Sequence, residues 1–161
     1  MLIRQAQVSD FPRILHINAT EEEKTSRIDL ARITQLDSWS DYHRVAVVED
    51  EVIGFLLVMS EASDYDGENF RWFAERHRRF LYVDRIVIDR AVARRGVGSA
   101  LYGDLIQFAA THGWSQLCCE INVSPPNPVS HTFHAGFGFK EEGRSAEAGA
   151  SKVVSYQVAE L

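Results

Sequence analysis

The sequence predicts an α/β (α+β mixed) fold in which a mixed sheet is flanked by helices. Three observations lead there. Segments of strand and helix character alternate through the second half of the chain, which demands at least one parallel crossover. Two β-rich runs, 44–48 and 52–60, are separated by the acidic turn Glu49-Asp50-Glu51 and read as an antiparallel hairpin. The 161 residues are 45% hydrophobic and carry no internal repeat or low-complexity tract, so 1–161 reads as one domain with its own core.

Each element has its own signal. Residues 2–6 read as a short first strand. Ser9-Asp10-Phe11-Pro12 then offers a capping residue and a proline suited to a first helical turn, followed by a stripe of Phe11, Ile14, Leu15 and Asn18. The run Glu21-Glu22-Glu23 reads as solvated surface. Leu30, Ile33 and Leu36 mark a second helix. After the hairpin, residues 62–79 read as a loop entering a short helix, with Arg71, Arg76, Arg78 and Arg79 on its solvated side. Residues 80–89 form the clearest strand, apolar enough to predict burial on both faces. Residues 90–95 turn the chain. Val97, Leu101, Leu105 and Phe108 stand at helical spacing up to a stop at Gly113. Residues 115–123 are a strand, 129–135 a short helix ended by Gly136, and 137–142 and 152–161 the last two strands. The order is β-α-α-β-β-β-α-β-α-β-β.

Composition removes several functions. A net charge of −6 argues against a nucleic-acid partner, whose phosphates call for a basic surface. The 2 cysteines, Cys118 and Cys119, are adjacent, a spacing that suits neither a disulfide nor a zinc site. His131 and His134 stand three apart on the short helix with no carboxylate or cysteine to complete a metal set, so no metal is expected. No apolar run approaches the ~20 residues that span a bilayer, and the first residues do not read as a leader. The expectation is a cytoplasmic protein with no membrane partner.

One segment carries phosphate chemistry. Arg94-Arg95-Gly96-Val97-Gly98-Ser99 follows the long strand and opens a helix. Glycines there let backbone N–H groups approach an anion, the helix N-terminus adds partial positive charge, and the arginines add full charge. The same glycines also suit a plain strand-to-helix turn. A dinucleotide fingerprint would place a third glycine where Leu101 stands, although Glu120, about 20 residues on, sits where a ribose-binding acid would.

Ile86-Val87-Ile88-Asp89 and Ala93-Arg94-Arg95-Gly96-Val97-Gly98 together resemble the acetyl-CoA signature of the GNAT N-acetyltransferases. Glu120-Ile121-Asn122, then Asn127, Ser130, Phe133, His134 and Phe137-Gly138-Phe139, resemble that family's second signature as it runs in the ribosomal-protein N-terminal acetyltransferase branch. The specific motifs cover about residues 80–140. The resemblance implies a mixed, mostly antiparallel central sheet and transfer of an acetyl group from acetyl-CoA, as co-substrate, to a primary amine, either a small molecule or a peptide N-terminus. It also implies that Ile86, Val87 and Ile88 meet the pantetheine arm through backbone groups, that residues 94–99 bind pyrophosphate, and that Asn127 holds an amide of the arm. Asn127 also suits a cap on the helix after it. Ala93 stands where the family has Gln or Arg, His134 where it often has the tyrosine that protonates the thiolate, and Pro125-Pro126 lengthen the loop before Asn127.

For the proton acceptor the candidates are Glu120, by the family position, and Asp84, by the strand position of other small-amine enzymes. Asp84 also reads as an ion-pair partner of Arg85. For the acid the candidate is His134, with Tyr82, Tyr102 and Tyr156 as substitutes. A homodimer is common in such families. The rival readings are a dinucleotide-binding oxidoreductase and a non-catalytic module that holds acetyl-CoA.

Overall fold

The computed structural model describes residues 1–22, 24–145 and 151–161. Its elements in chain order are β1 (Leu2–Gln5), α1 (Phe11–Ala19), α2 (Leu30–Trp39), β2 (Tyr42–Val48), β3 (Glu51–Ser60), α3 (Glu68–Ala74), β4 (Leu81–Ile88), α4 (Val97–His112), β5 (Gln116–Ser124), α5 (Pro128–Ala135), β6 (Lys140–Arg144) and β7 (Val153–Glu160). The strands form one sheet in the order β1-β2-β3-β4-β5-β7-β6. Among the described residues, only β4 and β5 pair in parallel. A dinucleotide-binding sheet would be mostly parallel, so this topology does not support that rival.

The helices divide between the two faces. Leu101, Tyr102, Leu105 and Ala109 of α4 pack over Leu56, Val58, Leu81, Val83 and Leu117. Phe11, Ile14 and Ile17 of α1, with Ile33 of α2, cover Val45, Phe55 and Val87 on the other side. Leu36, Phe70 and Phe73 extend that layer over Leu57, Tyr82 and Tyr156. Of these, Phe11, Ile14, Ile33, Leu36, Leu101 and Leu105 are residues that the helical spacings mark; Ile17, Phe70, Phe73, Tyr102 and Ala109 join them in the core without such a mark. Only Leu30, in the stripe of α2, is exposed.

Turn chemistry explains the joints. Glu49 and Asp50 both take positive φ, 49° and 63°, the geometry a two-residue hairpin loop needs. Gly113 ends α4 at φ 81°, and Trp114 N–H returns to the Ala109 carbonyl.

Three readings change. Phe137-Gly138-Phe139 is a turn rather than a strand: Gly138 sits at φ 85°, and Phe137 and Phe139 donate back to the His134 carbonyl at the end of α5. The strand begins only at Lys140. Asp10 does not cap α1 with its side chain; its carboxylate takes the Gln7 N–H at 2.8 Å and both Arg4 nitrogens. In the acidic run, Glu21 is ion-paired to Lys24 and Arg90, Glu22 is exposed, and Glu23 lies outside the described residues.

The long strand departs from two-sided burial in an instructive way. Opposite Leu57 and Val58, the β3–β4 register jumps from Arg85 to Val83, so Asp84 is an extra residue on β4, a β-bulge. Before it, Leu81 and Val83 face α4; after it, Arg85 and Val87 turn to the α1 side. Beyond the bulge Ile86 and Ile88 are half-buried. The parallel register with β5 covers only Leu81↔Leu117 and Tyr82↔Cys118. Past that point the two strands part.

Candidate functional site

The gap between the parted strands is a cleft of about 970 Å³. Val83 to Ile88 line one wall, Cys119 to Asn122 the other, with the start of α4, α5 and the segments at 24–26 and 65–69 around them.

At one end the chain makes a tight, left-handed passage into α4. Arg94 has φ 66° and Gly96 has φ 79°, and no side chain caps the first turn of the helix. Its leading N–H groups therefore point out uncapped, beside exposed Arg94. Gly98 answers a different need. A Cβ there would lie 3.3 Å from the Phe133 ring and 3.8 Å from Ile86, so its missing side chain brings α4 against α5 and β4. Of the residues the motif marks, Ile86, Val87, Ile88, Arg94, Gly96, Val97, Gly98, Ser99 and Asn127 line the cleft, whereas Arg95 is not among the lining residues. Val97 is buried under the turn. Asn127 accepts the Ser130 N–H at 3.3 Å and thereby caps α5.

At the other end stand two carboxylates, each with a tyrosine. Tyr82 donates its hydroxyl to Glu120 at 2.6 Å, and Tyr65 donates to Asp84 at 2.5 Å. Burial raises the Glu120 pKa to about 7, and the charge of Asp84 adds to the rise. Hydrogen bonds from Tyr82 and Asn69 pull the other way without cancelling it. Asp84 differs from Glu120 in having a cation: Arg85 Nε donates to its second oxygen at 2.7 Å, and both side chains of that ion pair are buried. The sequence places both acids on strands that face a cleft; the structure separates them by their partners.

His134 is buried under α4. Its Nδ1 meets the Ser130 carbonyl at 2.8 Å, an acceptor, so Nδ1 holds the proton and Nε2 takes the Tyr102 hydroxyl at 2.8 Å. Burial lowers its pKa, which favours the neutral ring. His131 Nε2 instead reaches the Asn122 carbonyl at 3.1 Å. Tyr65, Asn69 and Ser26 are residues at the cleft that no motif marks; Ser26 and Tyr65 come from the two long connections, where sequence periodicity is weakest, and Asn69 from the short helix α3. Tyr82 is among the candidate acids of the sequence, yet its hydroxyl is spent on Glu120.

The profile of the Acetyltransferase (GNAT) family matches residues 3–139. No curated protein matches the chain. Among solved structures, the ribosomal-protein-alanine N-acetyltransferase from Brucella melitensis superposes with a TM-score of 0.73 at 22% identity, over 100% of both chains. Ard1 from Thermoplasma volcanium gives 0.79 at 18% identity, over 99% of this chain and 97% of its own. YncA of Salmonella typhimurium, solved with its cofactor acetyl-CoA, gives 0.72 at 19% identity, over 99% and 93%. These identities establish a shared fold. No helix of the described residues is long and apolar enough to cross a membrane.

Proposed function

The chain belongs to the GNAT acetyltransferase family, a family of acyltransferase enzymes, and we propose that 1–161 is one N-acetyltransferase domain that moves an acetyl group directly from acetyl-CoA to a primary amine, with Glu120 as the proton acceptor. The observation that carries the reading is a carboxylate of pKa about 7 on the wall of a cleft whose far end is an uncapped helix start.

The residues suit such a co-substrate. The left-handed turn at Arg94 and Gly96 aims first-turn N–H groups of α4 outward, where they and Arg94 would hold pyrophosphate oxygens. The edge of β4 from Val83 to Ile88, left without a strand partner, offers backbone groups to an extended arm and a donor to a carbonyl oxygen that gains charge. Acetyl-CoA supplies the activated acyl group as a thioester.

The remaining requirement is a neutral amine, because an alkylammonium with a pKa near ~10 is no nucleophile. Glu120 meets it. With a pKa of about 7 the group is partly ionised at neutral pH and can hold the proton that leaves the nitrogen. Cys119 lines the same wall, but burial pushes its thiol pKa up, so the sulfur stays protonated and does not compete with the amine. His134 stands toward α4 with its one N–H on the Ser130 carbonyl, an arrangement that serves first to hold Tyr102 and only secondarily to supply a proton to the departing thiolate.

A panel of small primary amines and of peptides with free N-termini, each incubated with acetyl-CoA and the protein, tests the reading through release of free thiol and the mass of the product. Saturable turnover on one member of either class is expected, and that class names the acceptor. Acetyl-CoA binding with no turnover on any member would leave the non-catalytic module in its place.

A further inference from the structure

Arg85 makes four hydrogen bonds, three of which link β4 to α1 and to the connection after it. Its Nε binds Asp84 at 2.7 Å, one terminal nitrogen binds Asn18 Oδ1 at 3.1 Å and the Ser26 carbonyl at 2.9 Å, and the other binds Ser26 Oγ at 3.1 Å. Asn18 stands in the last turn of α1, and Ser26 lies on the connection to α2, in the segment that lines the cleft. Asp84, on the bulge, takes the Tyr65 hydroxyl from the connection between β3 and α3, which lines the cleft as well. One buried ion pair thus joins two separate walls of the acceptor end, and it stands beside Glu120.

Resting on the reading of Glu120 as the base, we propose that the Asp84–Arg85 pair is a positioning unit. It fixes the segments carrying Ser26 and Tyr65 against β4 and tunes Glu120 by its proximity, and Asp84 is not itself the proton acceptor. Each oxygen of Asp84 already accepts a hydrogen bond, one from the Tyr65 hydroxyl and one from the Arg85 guanidinium, and protonating the carboxylate would remove the charge that holds Arg85. Arg85 is suited to the task because a planar fork binds several acceptors in fixed directions, which a lysine ammonium cannot reproduce. The bulge is what makes the geometry available: it puts Asp84 and Arg85 at the point where β4 changes face.

Besides Asp84, two side chains hydrogen-bond Glu120, Tyr82 from β4 and Asn69 from α3. The Glu120 charge in turn reaches Tyr65 on the connection before α3, Tyr156 on β7, Tyr102 on α4 and Cys119 next along β5. Asp84 is the anion that raises the Glu120 pKa, so its removal lets Glu120 ionise more readily.

The test titrates the Glu120 carboxyl by carbon NMR and measures acceptor kinetics in parallel. Wild type is expected to titrate at about 7. Asp84→Asn should move that midpoint down by about half a unit or more, and shift the acid limb of kcat/KM with it. Arg85→Lys should raise the acceptor KM about tenfold, out of proportion to any change in kcat, through the lost bonds to Asn18 and Ser26. Ser26→Ala and Tyr65→Phe remove single hydroxyls without stranding a charge, and each should raise the acceptor KM about threefold in a protein of unaltered fold. An unmoved Glu120 midpoint in Asp84→Asn, or unchanged acceptor KM in all three loop and fork variants, would overturn the proposal. So would loss of turnover at every pH in Asp84→Asn while Glu120→Gln keeps it. A wild type inactive on every amine would sink the functional reading and leave the carboxyl titration to decide the coupling.

Discussion

Residues 81–83 and 84–88 belong to one strand, yet the first segment pairs β5 at Leu81 and Tyr82 as well as β3, whereas none of the last five residues has a β5 partner. The closed half is built from Leu81, Tyr82 and Val83, all buried. The open half alternates buried and half-buried positions and lines the cleft. The difference teaches where this fold keeps its stability and where it keeps its chemistry. A paired, packed strand has its N–H and C=O groups satisfied internally; an unpaired edge leaves them for water or a ligand. The bulge at Asp84 marks the border between the two.

The sharpest break in that comparison comes at the wall opposite the open half. Glu120→Gln should lower kcat/KM by about 10²–10⁴-fold near neutral pH, the usual worth of a general base, and the loss should shrink as pH rises and free amine forms unaided. In wild type the acid limb should fall near pH 7, with activity rising as Glu120 ionises. A loss below about threefold would make Glu120 a bystander.

Next in size is a contrast within β4 itself. Leu81→Ala, in the closed half, should cost about 2–5 kcal/mol of stability, because Leu81 is fully buried and the cavity it leaves is walled by packed neighbours. Ile88→Ala, in the open half, should cost about 1 kcal/mol, since the side chain is already half in the cleft. Urea titration of both variants reads the difference. Equal costs would erase the distinction between the halves.

Glu120 also makes the chemical wall pay in stability. Folding raises its pKa from 4.5 to about 7, so the folded protein prefers the protonated carboxyl. That preference favours folding fully below about pH 4.5 and is lost as pH rises toward 7, at most about 3 kcal/mol by then. Glu120→Gln, though slower, should therefore melt higher than wild type at pH 8 and differ little at pH 4. The smallest effect belongs to His134→Phe. With its N–H committed to Ser130, the expected loss of kcat is about tenfold or less, with acetyl-CoA affinity nearly unchanged; a 10³-fold loss would promote His134 to the principal acid.

Most of the fold is written in local patterns. The helical spacing of Val97, Leu101 and Leu105, the stop at Gly113 and the acidic hairpin turn each depend on a few neighbouring residues, and each lies where its pattern puts it. Phe137 and Phe139 show how the same logic misleads. Their alternation imitates a strand, but Gly138 at positive φ and hydrogen bonds back to α5 hold them as a turn, while the strand that follows begins with the charged Lys140-Glu141-Glu142. Arg79 reads as a solvated arginine and is exposed, and it also caps α4 by donating to the carbonyls of His112 and Gly113, a contact the sequence does not announce. At the site, motif residues around the α4 start were legible because an anion cradle needs consecutive backbone groups. Glu120 and Asp84 are visible as strand acids, and adjacency alone suggests the Asp84–Arg85 pair that the structure shows; what the sequence hides are their tyrosine partners, Tyr82 and Tyr65, which come from 38 and 19 residues away. The parting of β4 from β5 had no local signature at all.

One feature of the core bears on how the protein lives with oxidants. The chain holds 2 sulfhydryl groups, Cys118 and Cys119, both buried and both with thiol pKa pushed up by that burial. A thiolate is the form that peroxide, disulfides and metals attack, and neither cysteine presents one. Sulfur here is packing material, even where Cys119 forms part of the cleft wall. Peroxide stress that silences enzymes with exposed, ionised cysteines should pass this one by, leaving its rate to the supply of its substrates rather than to the redox state of its surroundings.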